Sequence, residues 1–129
     1  MHFYTFGSPR PGNSQFADFV MTIFPDGHYS RVTHNKDLVP HVPSEAEGYK
    51  HAGNEIWYFN PVNAPLAYKE CINEAGKPEN RTCADFHPVA LSIDDHREYL
   101  GLPISFMCSE YEIPNHESAI DEQYIKFAE

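Results

Sequence analysis

The chain has 129 residues, room for one domain at the usual size of about 100 to 200 residues per domain. Its 41% hydrophobic and 22% charged residues supply enough apolar side chain to bury a core, which excludes disorder throughout. Nineteen acidic against nine basic residues give a formal charge of -10, and a surface of that sign repels phosphate backbones and anionic headgroups, so no nucleic-acid partner is expected.

Residues 2–6, HFYTF, are aromatic and β-branched and run into the turn-forming cluster Gly7 to Asn13, which predicts a strand and then a loop. After Asn13 or Ser14, either a good N-cap, Phe16, Phe19, Val20 and Ile23 recur at the spacing of one helix face, and Pro25-Asp26-Gly27 ends that helix. Residues 29–34, YSRVTH, read as a second strand. Strand, helix and strand within some 30 residues make the crossover of a parallel sheet, so the expected class is α/β. Residues 35–54 read as mostly loop, 55–59 as a third strand, and the stretch to about residue 91 as long and irregular. Residues 93–101 read as a short helix closed by Gly101, and the acidic tail as a final helix striped by Ile120, Tyr124 and Phe127. No apolar run approaches the roughly 18 to 20 residues of a membrane span, and the first residues lack the basic and apolar regions of a secretory signal. The chain as written is expected to be soluble and without an address.

Cys71 and Cys83 lie 12 apart in a polar stretch that also holds the glycosylation acceptor pattern Asn80-Arg81-Thr82. That combination points to an oxidising compartment; two unpaired thiols and a chance pattern are the alternative. Cys108 is left over, as a free thiol or as one half of a bridge to something else.

Functional groups of a parallel α/β sheet collect on loops leaving the carboxyl ends of strands. Asp37 stands there, three residues past YSRVTH, and His96 follows two aspartates at a helix start. Either residue alone reads as a turn aspartate or a surface histidine. Together they suggest a Ser/His/Asp hydrolase in the chain order of α/β-hydrolases, the carboxylate holding the histidine tautomer and stabilising its imidazolium. The serine elbow G-x-S-x-G does not occur in the chain, and Ser8 lies between Phe6 and Arg10 where small neighbours are needed, so no nucleophile is assigned. His34, His41, His87 and Asp85 show no recognised metal-ligand spacing, and no metal is expected.

Four blocks carry a resemblance to the fungal-type, or class three, lipases: Tyr4 to Asn13, Tyr29 to Pro43, Gly48 to His51 with Glu55 to Tyr58, and Asp95 to Gly101. The likeness covers residues 2–108. It implies that 1–108 form the C-terminal half of an α/β-hydrolase fold, a partial, mostly parallel sheet with a crossover helix, and that 109–129 are an acidic extension. By this resemblance Asp37 matches the triad acid, His96 the triad base, and Cys108 a cysteine bridged in many members to the N-terminal region. His51 and Trp57 are expected to be structural, packing around the site wall. The implied activity is hydrolysis of triacylglycerol-type esters by a secreted enzyme, with no metal or organic cofactor. The Ser elbow, oxyanion hole and lid belong to the half that the resemblance does not cover. A truncated gene model, a fragment or a decayed copy is therefore expected, inactive alone and sticky at its unpaired first strand. The alternative is a non-catalytic pseudoenzyme remnant or acidic interaction module.

Overall fold

The structure is a computed structural model and describes residues 1–24, 27–60, 67–86 and 92–104. Its centre is a four-stranded sheet of β1 (Phe3–Phe6), β3 (Tyr29–His34), β5 (Asn54–Tyr58) and β6 (Tyr68–Cys71), in that spatial order. The small strand β2 (Gly12–Asn13) leads into helix α1 (Ser14–Ile23), and β2 pairs antiparallel with β4 (Tyr49–Lys50). Strands β1, β3 and β5 are parallel, with Phe3 opposite Tyr29 and Ser30 opposite Asn54. A parallel pair needs a crossover, and α1 provides it between β1 and β3. The expected α/β class and its strand-helix-strand unit are therefore what the chain forms.

Every residue of β3 is buried, as its place inside the sheet requires, and its Arg31 and Thr33 both reach Glu55 on β5. Arg31 lies opposite Glu55 on β5 with 3.5 Å between Nη2 and Oε2, while the Thr33 hydroxyl donates to Glu55 Oε1 at 2.6 Å. A buried charge left alone would cost several kcal/mol, and this pairing across one register offsets that cost.

Asn13 caps α1 by accepting from the Phe16 amide at 2.9 Å, as the sequence suggests. The buried face differs from the expected one. Ala17 is fully buried, and Val20, Met21 and Phe24 pack with it against Tyr29 and Ala52, whereas Phe16, Phe19 and Ile23 point outward. The helix is apolar on two sides, and the small Ala17 is what lets its backbone approach the sheet. Pro25 and Asp26, expected to stop the helix, lie outside the described residues, and the helix ends at Ile23 with Phe24 as its cap.

Two further expectations are corrected. The stretch read as irregular contains β6, antiparallel to β5 with Glu55 opposite Cys71; its Tyr-Lys-Glu-Cys is too short and polar to show a strand pattern, and β5 supplies the pairing. The helix expected over 93–101 is only α2 (Ile93–Arg97), followed by a hairpin of β7 (Glu98–Tyr99) and β8 (Leu102–Pro103). Leu100 and Gly101 both have positive φ, +55° and +77°, the backbone of a two-residue hairpin turn, so Gly101 serves that turn and not a helix end. Residues 35–54 hold single 3-10 turns at Val39–His41 and Glu45–Glu47 besides β4. His87, Cys108 and the tail 109–129 lie outside the described residues.

Candidate functional site

The acid loop leaves the carboxyl end of β3. Asn35 turns the chain with φ +40°, its amide donating to Tyr58 O at 2.6 Å and its carbonyl accepting from Trp57 Nε1 at 3.1 Å. Asparagine tolerates this left-handed conformation better than most residues. The turn delivers Asp37 into the interior, 2% exposed. Its Oδ1 accepts from the Val39 amide at 2.8 Å, a local bond that orients the carboxylate.

The base arrives from 59 residues downstream. Ser92 caps α2, its Oγ accepting from the Asp95 amide at 3.0 Å, and its backbone runs beside Asp37 as an isolated parallel bridge. Ser92 N donates to Lys36 O at 3.0 Å and Leu38 N to Ser92 O at 3.4 Å. This places His96 Nδ1 3.0 Å from Asp37 Oδ2, the histidine side chain 31% exposed and the carboxylate buried. With Nδ1 held by the carboxylate, Nε2 is the ring nitrogen left for proton exchange.

Two residues of the site escape the sequence reading. Tyr99, buried, donates its hydroxyl to the same Asp37 Oδ2, and burial followed by that hydrogen bond and the Asp37 charge push its phenol above the usual tyrosine range. It stays a donor at any ordinary pH. Its three-residue spacing from His96 was the available signal, although Tyr99 lies beyond the helix end. Gly7 follows β1 with φ +58°; a Cβ there would stand 2.9 Å from His96 Nδ1 and 3.0 Å from Tyr99 Oη. The backbone of Gly7 thus forms one wall against the imidazole, which only a residue without a side chain allows.

Ser8 donates its hydroxyl to Pro9 O at 3.1 Å. His51 is buried with its ring 2.8 Å from Pro40 O, and burial, with the nearby Arg31 charge, holds its pKa down to about 2. Trp57 packs on the disulfide-bonded Cys71 and Cys83, so both residues take structural positions. Asn80, the glycosylation candidate, accepts through Oδ1 from the Thr82 amide at 3.2 Å and hydroxyl at 2.9 Å, on the loop closed by that disulfide.

His34, His41 and Asp85 are held by partners within the chain. His34 sets its two ring nitrogens 3.1 Å from Asp95 O and Asn60 O, whereas His41 pairs with Asp85 at 2.8 Å, lowering the Asp85 pKa. The carboxylates of Glu45, Glu79 and Asp85 converge, and the buried Arg10 guanidinium already faces all three, at 3.9, 3.0 and 3.3 Å. Arg10 also donates to His41 O and Pro43 O, tying the chain just beyond the acid loop to the disulfide-closed loop.

The family model for class 3 lipases matches residues 1–47. A lipase of Rhizomucor miehei is 35% identical over 100 residues, covering 77% of this chain and 25% of the relative. A secreted mono- and diacylglycerol lipase of Fusarium solani is 48% identical over 54 residues, 42% of this chain and 16% of the relative. The solved structure of the Rhizomucor miehei triacylglyceride lipase superposes with a TM-score of 0.70 at 32% identity, over 80% of this chain and 36% of that one. The chain spans about a quarter of the length of the curated relatives it matches. Sheet, loops and relatives agree: the chain belongs to the class 3 lipase family and carries part of its α/β-hydrolase fold.

Proposed function

We propose that this chain is the acid and base half of a secreted carboxylic-ester hydrolase acting on acylglycerol-type lipids. One observation carries the reading: His96 Nδ1 within 3.0 Å of the buried Asp37 carboxylate, on a ring still open to solvent. In that arrangement Nε2 takes the proton of a serine as it attacks the ester carbonyl, and returns it to the leaving alcohol. Asp37, oriented by Val39 N and Tyr99, holds the tautomer and stabilises the imidazolium. The 129 residues contain no G-x-S-x-G, so the nucleophile, the oxyanion hole and the lid are assigned to the N-terminal half of such a fold. The substrate class follows the relatives, one a triacylglyceride lipase and one a mono- and diacylglycerol lipase. The Cys71–Cys83 bridge and the hydrogen-bonded Asn80-Arg81-Thr82 pattern support secretion and glycosylation at Asn80, which a mass shift on deglycosylation checks.

The test is hydrolysis of a p-nitrophenyl ester. The chain alone is expected to show no turnover, since losing the serine of a triad costs on the order of a million-fold. Joined to the serine-bearing N-terminal segment of a class 3 lipase, it is expected to turn over and to lose that activity on Asp37→Asn or His96→Ala. Turnover by the chain alone that either substitution abolishes would overturn the division of labour. Turnover of the joined protein that ignores both substitutions would favour the second reading, a non-catalytic remnant or acidic interaction module.

A further inference from the structure

We infer that Asp95 is a positioning residue: through it the acid loop sets the place of His96. The inference rests on the acid-base reading of Asp37 and His96. Asp95 is the residue before the base, and its carboxylate is turned toward the residues before the acid. Oδ2 accepts from Asn35 Nδ2 at 3.1 Å and from the Lys36 amide at 3.2 Å. Its carbonyl faces His34 Nδ1 at 3.1 Å, and its own amide is capped by Ser92. One residue therefore touches His34, Asn35 and Lys36 in succession, immediately ahead of Asp37.

A local explanation fails on comparison within the chain. Asp95 stands at the third helical position after the cap Ser92, where an acid ordinarily reaches back to the cap amide. The 3-10 turn Glu45–Glu47 shows that local closure, with Glu47 Oε2 accepting from Ser44 N at 2.9 Å. At α2 the cap amide instead donates to Lys36 O, and the Asp95 carboxylate is spent across 59 and 60 residues of sequence. Asn35, its partner, is itself pinned to β5 through Tyr58 O and Trp57 Nε1. The position of the imidazole is thus referred to the sheet by two carboxylate bonds and one carbonyl contact at Asp95, besides the bond at Asp37.

The experiment is proton NMR of the full chain, reading the Nδ1 proton of His96, identified by its disappearance in His96→Gln. In the parent it is expected strongly downfield, moving upfield in Asp37→Asn; absence of any such resonance overturns the acid-base reading itself. With that resonance established, Asp95→Ala is expected to lose it through exchange with water, while the amides of β3 and β5 keep their dispersion. Asp95→Asn, whose amide oxygen still accepts from Asn35 and Lys36, is expected to restore it. Asn35→Gly removes the partner from the other side, yet glycine accepts the positive φ, so it carries the test should Asp95→Ala fail to fold. The inference falls if the resonance survives both Asp95→Ala and Asn35→Gly unchanged. It falls also if Asp95→Asn fails to restore it in a chain whose sheet amides are intact.

Discussion

Gly7 and His51 show two ways in which a single residue shapes this molecule. At Gly7 the constraint is space: the backbone turns at φ +58° where a methyl group would meet the imidazole of His96 and the hydroxyl of Tyr99. At His51 the constraint is charge. The residue is 2% exposed, its Nδ1 has no hydrogen-bond partner among the described residues, and burial leaves it neutral down to a pH of about 2, against an ordinary value of 6.5. The folded chain therefore refuses a proton that the unfolded chain accepts. The stability contributed at this site is full above about pH 6.5 and is lost progressively as the pH falls toward about 2. The loss runs at about 1.4 kcal/mol per pH unit for one proton. Denaturation followed between pH 7 and 5 should show His51→Gln, which keeps a donor for Pro40 O, falling less steeply than the parent; equal slopes would show that His51 titrates in the fold. Asp85 acts in the same direction at lower pH, because the hydrogen bond from His41 and the charge of Arg10 depress its pKa, and that contribution disappears only as the carboxylate is protonated.

Among the elements, β6 contributes most through the bond at its end. Cys71 closes β6 and is bridged to Cys83, and the pair, with Ala84, packs against Trp57. Trp57 in turn donates to Asn35 O at the start of the acid loop. The bridge therefore supports the site from behind as well as stapling the chain. Replacing both cysteines by serine is expected to cost roughly 3 kcal/mol, the scale for closing a loop of about this length, read as a lower urea midpoint. A midpoint indifferent to the double substitution and to reductant would show that the bridge adds no stability. The helix α1 teaches a different point. Its periodicity was legible because Asn13 caps it and apolar residues recur, but apolar residues on two sides leave the buried side undetermined until Tyr29 and Ala52 come to meet Ala17.

For the molecule as a whole, the open side of the sheet and the net charge act against each other. Among the described residues β1 has one strand partner, β3, and Phe3, Tyr4 and Phe6 are exposed along it, with Phe16, Phe19 and Ile23 exposed on α1. A parallel edge with apolar side chains is a template for further pairing. A charge of -10 on each copy opposes that association at low salt and is screened at high salt. Size exclusion should therefore show larger species as salt is raised, together with binding of a hydrophobic dye. A compact monomer that binds no dye at any salt would contradict an open sheet.

Local chemistry alone determined the strands β1, β3 and β5, the capped helix and the parallel class, because aromatic and β-branched runs, turn clusters and a 3.6-residue period are written in neighbouring residues. The motif blocks also marked Asp37 and His96, and the polar stretch around Asn80, outside those blocks, marked the cysteine pair. Only tertiary structure decided the rest. Tyr99, Gly7 and Asp95 matter through distances to residues dozens of positions away, and a polar four-residue segment became β6 because β5 offered it hydrogen bonds. Convergence of that kind depends on the packed sheet holding two remote loops together, and no single stretch of sequence records it.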